Sequence, residues 1–359
     1  MNNWLEILGD YNKNEHLETL YENKIGDYLI LKDIKNIYNE KWDVGSKYPY
    51  VTITHLLDSY YCLPERPDMA FTFLWKAINS VYNKHYLTKA GTGGSIEGKL
   101  IDGREGDGQK LNLIIESMSS ILDDSITYQG KIFTIRELID LYVEKIPIKT
   151  LRFVANYVLK GLIIDDKLVY NGLSGNQKKS HLSSQYTTFR SSFKDLLSII
   201  DETYGESYRN ITFLKSNIHN FQVDVDTLDR DKSRKLVHSL ATKLKELLIN
   251  KKATFKDVKE SDLVEEEKYT FNLKDDGLYL KFVFKCILYA IRNTSFHGNV
   301  ASRYNSKTFN KEAIESSTYV YLIGHLFLTL CLYVNRELST KELVVNLQNL
   351  ELFEGHKIL

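Results

Sequence analysis

The chemistry-bearing residues of this chain crowd one short stretch. In LYLKFVFKCILYAIRNTSFHGNVASRYN, an almost wholly apolar run from Leu280 to Ile291 leads straight into Arg292, Asn293 and His297. A histidine titrates near neutrality and exchanges protons there. An arginine is a permanent cation whose forked donors match the paired oxygens of an anion. An asparagine donates and accepts at once, so it can orient either neighbour. Together the three types fit proton transfer beside an anionic group. An arginine at the end of a core helix must be paired or face an opening. Positions five apart on a regular helix point about 140° apart. Arg292 and His297 therefore share a cleft only if the helix breaks locally or if both meet a symmetry mate. Gly298 supplies a stop just after the histidine. Plainer readings stand beside this one: Arg292 paired with an acidic loop residue at a helix C-terminus, Asn293 as a cap, His297 as a structural histidine.

Other candidates carry less. Gly93 to Lys99 fits the G-x-x-x-x-G-K of a phosphate-binding loop, but Leu100 replaces the Ser or Thr that holds magnesium. The preceding KHYLTKA is no buried strand, so a flexible surface loop is expected, and the glycine-rich residues 91–108 agree with that. His219 and His238 lack partners at metal-ligand spacing, so no metal site is expected. His325 lies inside an apolar run and reads as a buried, hydrogen-bonded histidine.

The elements that must position Arg292 are helical. Pro67-Asp68 is a helix start, and Phe71, Leu74, Trp75, Ile78 and Val81 follow at spacings of three and four. LNLIIESMSSILDD places Leu111, Ile114, Ile115, Met118 and Leu122 in register, and FTIRELIDLYVEKI opens on a Thr134–Glu137 capping box. LRFVANYVLKGLII reads as a buried helix, and YNGLSGNQKKSHLSSQ as a long exposed loop. FRSSFKDLLSIIDETYG and the basic DKSRKLVHSLATKLKELLINKK are amphipathic, and the acidic residues 259–277 look like a connector. A helix over Lys311 to Val334 closes the pattern. Its segment YVYLIGHLFLTLCLYV is too short for a hydrocarbon core of about 30 Å, so burial inside a bundle is expected rather than a membrane span. Residues 1–63 mix weak patterns, with a strand expected at Tyr50–Thr54. The expected class is mainly α: a helical domain over 64–359, with its motif-bearing core at 278–334, behind a small mixed α/β region at 1–63.

Composition sets the frame. The 359 residues include 47 Lys plus Arg and 47 Asp plus Glu, which excludes a surface uniformly basic for nucleic acid but not a local basic patch. Only 4 prolines occur, against roughly 18 at average usage, which leaves long helices uninterrupted. Cys62, Cys286 and Cys331 are isolated in apolar contexts, so no disulfide framework is expected. The polar, acidic start MNNWLEILGDYNKNEH is unlike a signal peptide, and a reducing cytoplasm is the expected compartment.

Arg292-Asn293-Thr294-Ser295-Phe296-His297 resembles the R-N-x-x-x-H form of the R-x(4–6)-H signature of HEPN domains. The context is similar: an apolar helix ending in Tyr-x-x-Arg-Asn, a glycine after the histidine, and a long apolar helix next. PDMAFTFLWKAINSVY resembles the first core helix of larger members. The family consists of helical bundles found in RNA-cleaving toxins, abortive-infection proteins and RNA-targeting CRISPR effectors. The resemblance implies metal-independent endoribonuclease chemistry with no cofactor, leaving 2′,3′-cyclic phosphate and 5′-hydroxyl ends. It implies Arg292, His297 and Asn293 as catalytic residues and a homodimer with a composite site. Arg303 and Lys307, just beyond the motif, can contact RNA phosphates, with solvated surface charge as the plainer reading. A neutralising or activating protein partner would control it, in antiphage defence or as a toxin. The alternative within the same resemblance is a non-catalytic protein that binds RNA or nucleotide, or a scaffold subunit of a defence complex.

Overall fold

In the computed structural model, the residues described are 12–14, 16, 30–42, 48–96, 98–101, 103–170, 181–217, 222–256, 263–296 and 310–355. They are mainly helical and divide into two units: residues 1–147 with 295–359, and the continuous stretch 148–294. Neither unit boundary coincides with the expected division at residue 63.

In the first unit two short 3-10 turns, Ile30–Asp33 and Glu40–Trp42, precede α1 (Tyr50–Tyr61), a helix where a strand was expected over Tyr50–Thr54. The β-branched and aromatic residues there favour a strand only weakly. What decides the outcome is burial of Thr52, Leu56 and Ser59 on one helical face, with the Ser59 hydroxyl donating to the Ala70 carbonyl at 2.8 Å. That carbonyl belongs to α2 (Pro67–Gly91), which starts on its proline as expected and buries Phe71, Leu74, Trp75, Ile78 and Val81. The N-terminal segment is stitched into the same unit. Lys35 N donates to Asn349 Oδ1 at 2.7 Å, and Asn349 Nδ2 returns a bond to Lys35 O at 3.1 Å.

The glycine-rich stretch is not a plain loop. β1 (Ser95–Ile96) and β2 (Lys99–Leu100) pair antiparallel, and Ile96 is buried against Tyr86 and Leu113. α3 (Asp107–Met118) follows. β3 (Ser125–Tyr128) and β4 (Lys131–Thr134) then form a hairpin through Gln129 and Gly130, both at positive φ, as a tight turn between twisted strands requires. α4 (Ile135–Glu144) carries the expected capping box: Glu137 N donates to the Thr134 hydroxyl at 3.1 Å, and Thr134 N to the Glu137 carboxylate at 2.7 Å.

The second unit opens with α5 (Ile148–Tyr170). Of the polar stretch 170–185 expected to be a loop, residues 171–180 lie outside the described residues, while Tyr170 ends α5, Ser183 caps α6 (Ser184–Ser192) and Gln185 is wholly buried. The expected amphipathic helix then breaks at Phe193, whose ring meets Phe282 edge-on at 5.2 Å. α7 (Lys194–Ile200), a π turn and α8 (Glu206–Arg209) continue the chain. β5 (Thr212–Asn217) pairs with β6 (Gln222–Thr227), and α9 (Arg230–Asn250) is the basic helix. β7 (Lys252–Thr254) pairs with β8 (Thr270–Asn272) around α10 (Leu263–Lys268). α11 (Asp276–Leu280) leads through a π-helical segment to α12 (Ala290–Phe296). The strands among the described residues are thus short hairpins set between helices, not part of a mixed region before residue 64.

The chain returns to the first unit with α13 (Lys311–Val334) and α14 (Val344–Gly355). α13 is long and apolar enough by composition to cross a membrane, yet 89% of its most apolar window is buried inside the protein. It packs on α2 at Gly324, where a Cβ would lie 2.9 Å from Phe71 Cε2. Trp75 stacks on Phe327 beside this crossing, at 6.2 Å between centroids. Two tyrosine hydroxyls on α13 are satisfied internally. Tyr319 donates to the Tyr142 carbonyl at 2.9 Å, and Tyr333 to Asp124 at 2.7 Å. His325 is fully buried with the Tyr60 hydroxyl 3.1 Å from Nε2, and burial lowers its pKa to about 4.

Candidate active site around Arg292

Arg292 and Asn293 stand on α12, at the end of a helix that runs unbroken from Asp276. From Lys281 to Tyr289 that helix is wound as a π-helix. Such wider turns are rare and concentrate at functional sites. Within the segment Lys281, Lys285 and Tyr289 are partly exposed while the residues between them are buried. A four-residue repeat drifts about 40° per step on an α-helix, and the wider turn keeps it more nearly in line. Arg292 and Asn293 extend this partly exposed face by one more turn.

The local arrangement fixes the guanidinium. Arg292 Nη1 donates to Asn293 Oδ1 at 2.7 Å, and Asn293 Nδ2 donates to the Ser184 hydroxyl at 2.9 Å. The guanidinium carbon lies 6.0 Å from the centre of the Tyr289 ring, within cation–π range. One residue further, Thr294 donates to Gln185 Oε1 at 2.7 Å, and Gln185 Nε2 donates to the Ala290 carbonyl at 2.8 Å. Two adjacent residues at the start of α6 therefore clamp α12 from the side. Asn293 is a bridge between Arg292 and Ser184, not the helix cap that the plainer reading assigned it, because α12 continues to Phe296.

His297, Arg303 and Lys307 lie outside the described residues, as do Gly298 and His219. His238 is exposed on α9. No group of three or more His, Cys, Asp or Glu suited to a metal ion occurs among the described residues.

Sequence reasoning missed Ser184, Gln185, Lys281, Lys285 and Tyr289. The four-residue spacing Lys281-Lys285-Tyr289-Asn293 was readable, but it resembles no regular α-helical stripe. Ser184 and Gln185 had no local signal, because only the fold brings them to residue 293. Chemically, an oriented guanidinium beside a tyrosine face, in line with two lysines, suits an anionic chain that carries stacking bases. No protein-family model, curated protein or solved structure matches the chain.

Proposed function

We propose that this protein is a metal-independent endoribonuclease of the HEPN type. The observation that carries the reading is the placement of Arg292. Its guanidinium is held by Asn293 over Tyr289, on the same helical face as Lys281 and Lys285. A phosphodiester can be gripped there by the arginine while the lysines follow the backbone on either side.

In this reaction the ribose 2′-oxygen attacks the adjacent phosphorus and the bond from phosphorus to the 5′-oxygen breaks. His297 exchanges the protons: the one lost from the 2′-hydroxyl is balanced by the one gained by the departing 5′-oxygen. Arg292 stabilises the charge that develops on the phosphoryl oxygens, and Asn293 positions Arg292. The products carry a 2′,3′-cyclic phosphate and a 5′-hydroxyl. Two copies of the motif in a homodimer would supply the acid and the base together. Arg303 and Lys307 would add phosphate contacts beyond the motif. The biological setting proposed is cytoplasmic, as a toxin or an antiphage effector held in check or switched on by a protein partner.

The test incubates the full-length protein, His297→Ala and Arg292→Ala with total cellular RNA in EDTA, and maps the ends. Cleavage by the wild type alone, with cyclic-phosphate ends, supports the proposal. RNA binding without cleavage would replace it with the scaffold reading, and equal cleavage by all three proteins would remove the assignment of the site.

A further inference from the structure

The first unit contains a polar cavity of about 910 Å³ that has no part in the proposed cleavage. Its volume falls within the usual range for small-molecule sites, but such sites are mostly apolar. Lys84, Lys89 and Arg336 line this one, against a single carboxylate, Glu116. Lys84 is ion-paired with Glu337. Lys89 and Arg336 have no ion pair among the described residues.

The cavity wall is organised. His85 is 6% exposed, with Nδ1 2.8 Å from Asn335 Oδ1 and Nε2 3.0 Å from the Ser117 hydroxyl. Asn335 Nδ2 donates to the Val81 carbonyl at 3.0 Å. That orients the amide so that its oxygen faces the imidazole and accepts from Nδ1. Burial holds His85 below its ordinary pKa, with Asn335 opposing and Lys89 assisting. The imidazole is therefore neutral at pH 7, and the net charge of the lining is positive.

Arg336 is the telling residue. Its N–H donates to the Tyr333 carbonyl at 2.9 Å, and Glu337 N donates to the Leu332 carbonyl at 2.9 Å. These two bonds are the Schellman pattern that ends a helix, and its left-handed position normally holds glycine. Here an arginine adopts φ +62° instead. Lys251 also takes a left-handed conformation after α9, but its ammonium sits 3.3 Å from the centre of the Tyr279 ring, a structural reason for a side chain there. Arg336 has no such packing partner among the described residues, and its side chain borders the cavity.

We propose that this cavity binds a phosphomonoester, a small dianionic ligand gripped by Arg336 and Lys89. A strained arginine where glycine folds more easily, a lysine on the same cavity with no ion pair among the described residues and a hydrogen-bonded polar wall all serve one anion. The site stands whether or not the ribonuclease reading does.

The experiment titrates inorganic phosphate and adenosine 5′-monophosphate into the full-length protein by calorimetry, and repeats both with Arg336→Gly and Lys89→Glu. Saturable binding of either probe to wild type is expected, and each variant should weaken it at least about tenfold. Binding of both probes alike assigns the site to the phosphate alone, and tighter binding of the nucleotide assigns it to the whole ester. Arg336→Gly should at the same time raise Tm by a few degrees, since glycine relieves the backbone. A stabler protein that no longer binds the probe separates function from folding. Absence of binding of both probes at millimolar concentration overturns the proposal, as does undiminished binding in either variant.

Discussion

The carboxamide of Asn293 accepts a hydrogen bond from Arg292 at 2.7 Å, so two neighbours in sequence act as one polar unit on α12. Asn293 also donates to Ser184, which makes it a positioning residue for the arginine. Asn293→Ala removes both bonds. It should cost about 1 kcal/mol of stability and lower RNA cleavage by more than about tenfold, an effect larger than its stability cost accounts for. Single-turnover cleavage beside urea denaturation would check this. Wild-type cleavage in the variant would return Asn293 to a purely structural part.

Lys285 offers a separate reading of the same face. If it tracks the RNA backbone, Lys285→Ala weakens binding of single-stranded RNA without preference for sequence. The slope of log K against log salt should also become shallower by about 0.7 for each phosphate that the lysine neutralises. Filter binding over a range of salt concentrations measures it, and an unchanged slope would take Lys285 out of the interface.

Gly161 in α5 sets helix propensity against packing. Replacing it with alanine would ordinarily favour a helix by about 1 kcal/mol. Here the new Cβ would fall 2.2 Å from Tyr186 Cγ, and that ring is fixed by a bond from its hydroxyl to Asp165 at 2.8 Å. Overpacking of this kind typically costs about 1–3 kcal/mol, and an overlap so deep should place the net effect near ~2 kcal/mol of destabilisation. Thermal denaturation of Gly161→Ala decides it; a rise in Tm would mean that Tyr186 yields freely.

His325 makes stability depend on pH. Folded, it takes a proton only near pH 4; its ordinary value is 6.5. The unfolded chain therefore binds a proton first as pH falls. Stability that is complete above pH 6.5 is lost between pH 6.5 and 4, by at most about 1.4 kcal/mol per pH unit for this group. Denaturation midpoints of wild type and His325→Gln across that window should converge toward acid pH. Parallel curves would show that the histidine is not held neutral.

The legible parts of the fold were those in which one face is buried for many residues. The stripe in α2, the Thr134–Glu137 cap and the apolar length of α13 each follow from helical spacing or capping chemistry alone. α1 was illegible because Tyr50–Thr54 has strand-forming residues, and only packing against α2 makes them helical. The break at Phe193 and the burial of Gln185 likewise depend on partners far along the chain: Phe282 for one, Ala290 and Thr294 for the other. At the candidate site, Arg292 and Asn293 stood out by their types against an apolar helix. The groups that orient them did not, since Ser184 is remote in sequence and a π-helical repeat matches no regular template.

The division of the chain has a consequence for its biosynthesis. The stretch 148–294 is continuous and can complete its core while later residues are still being made. The other unit cannot: α2 needs α13, and roughly 250 residues separate the crossing partners Phe71 and Leu74 from Gly324. A nascent chain therefore carries the uncovered apolar flank of α2 through most of translation. The last long helix to leave the ribosome closes that flank, so chaperone demand should end with α13, and an mRNA truncated before its codons would yield an aggregation-prone fragment.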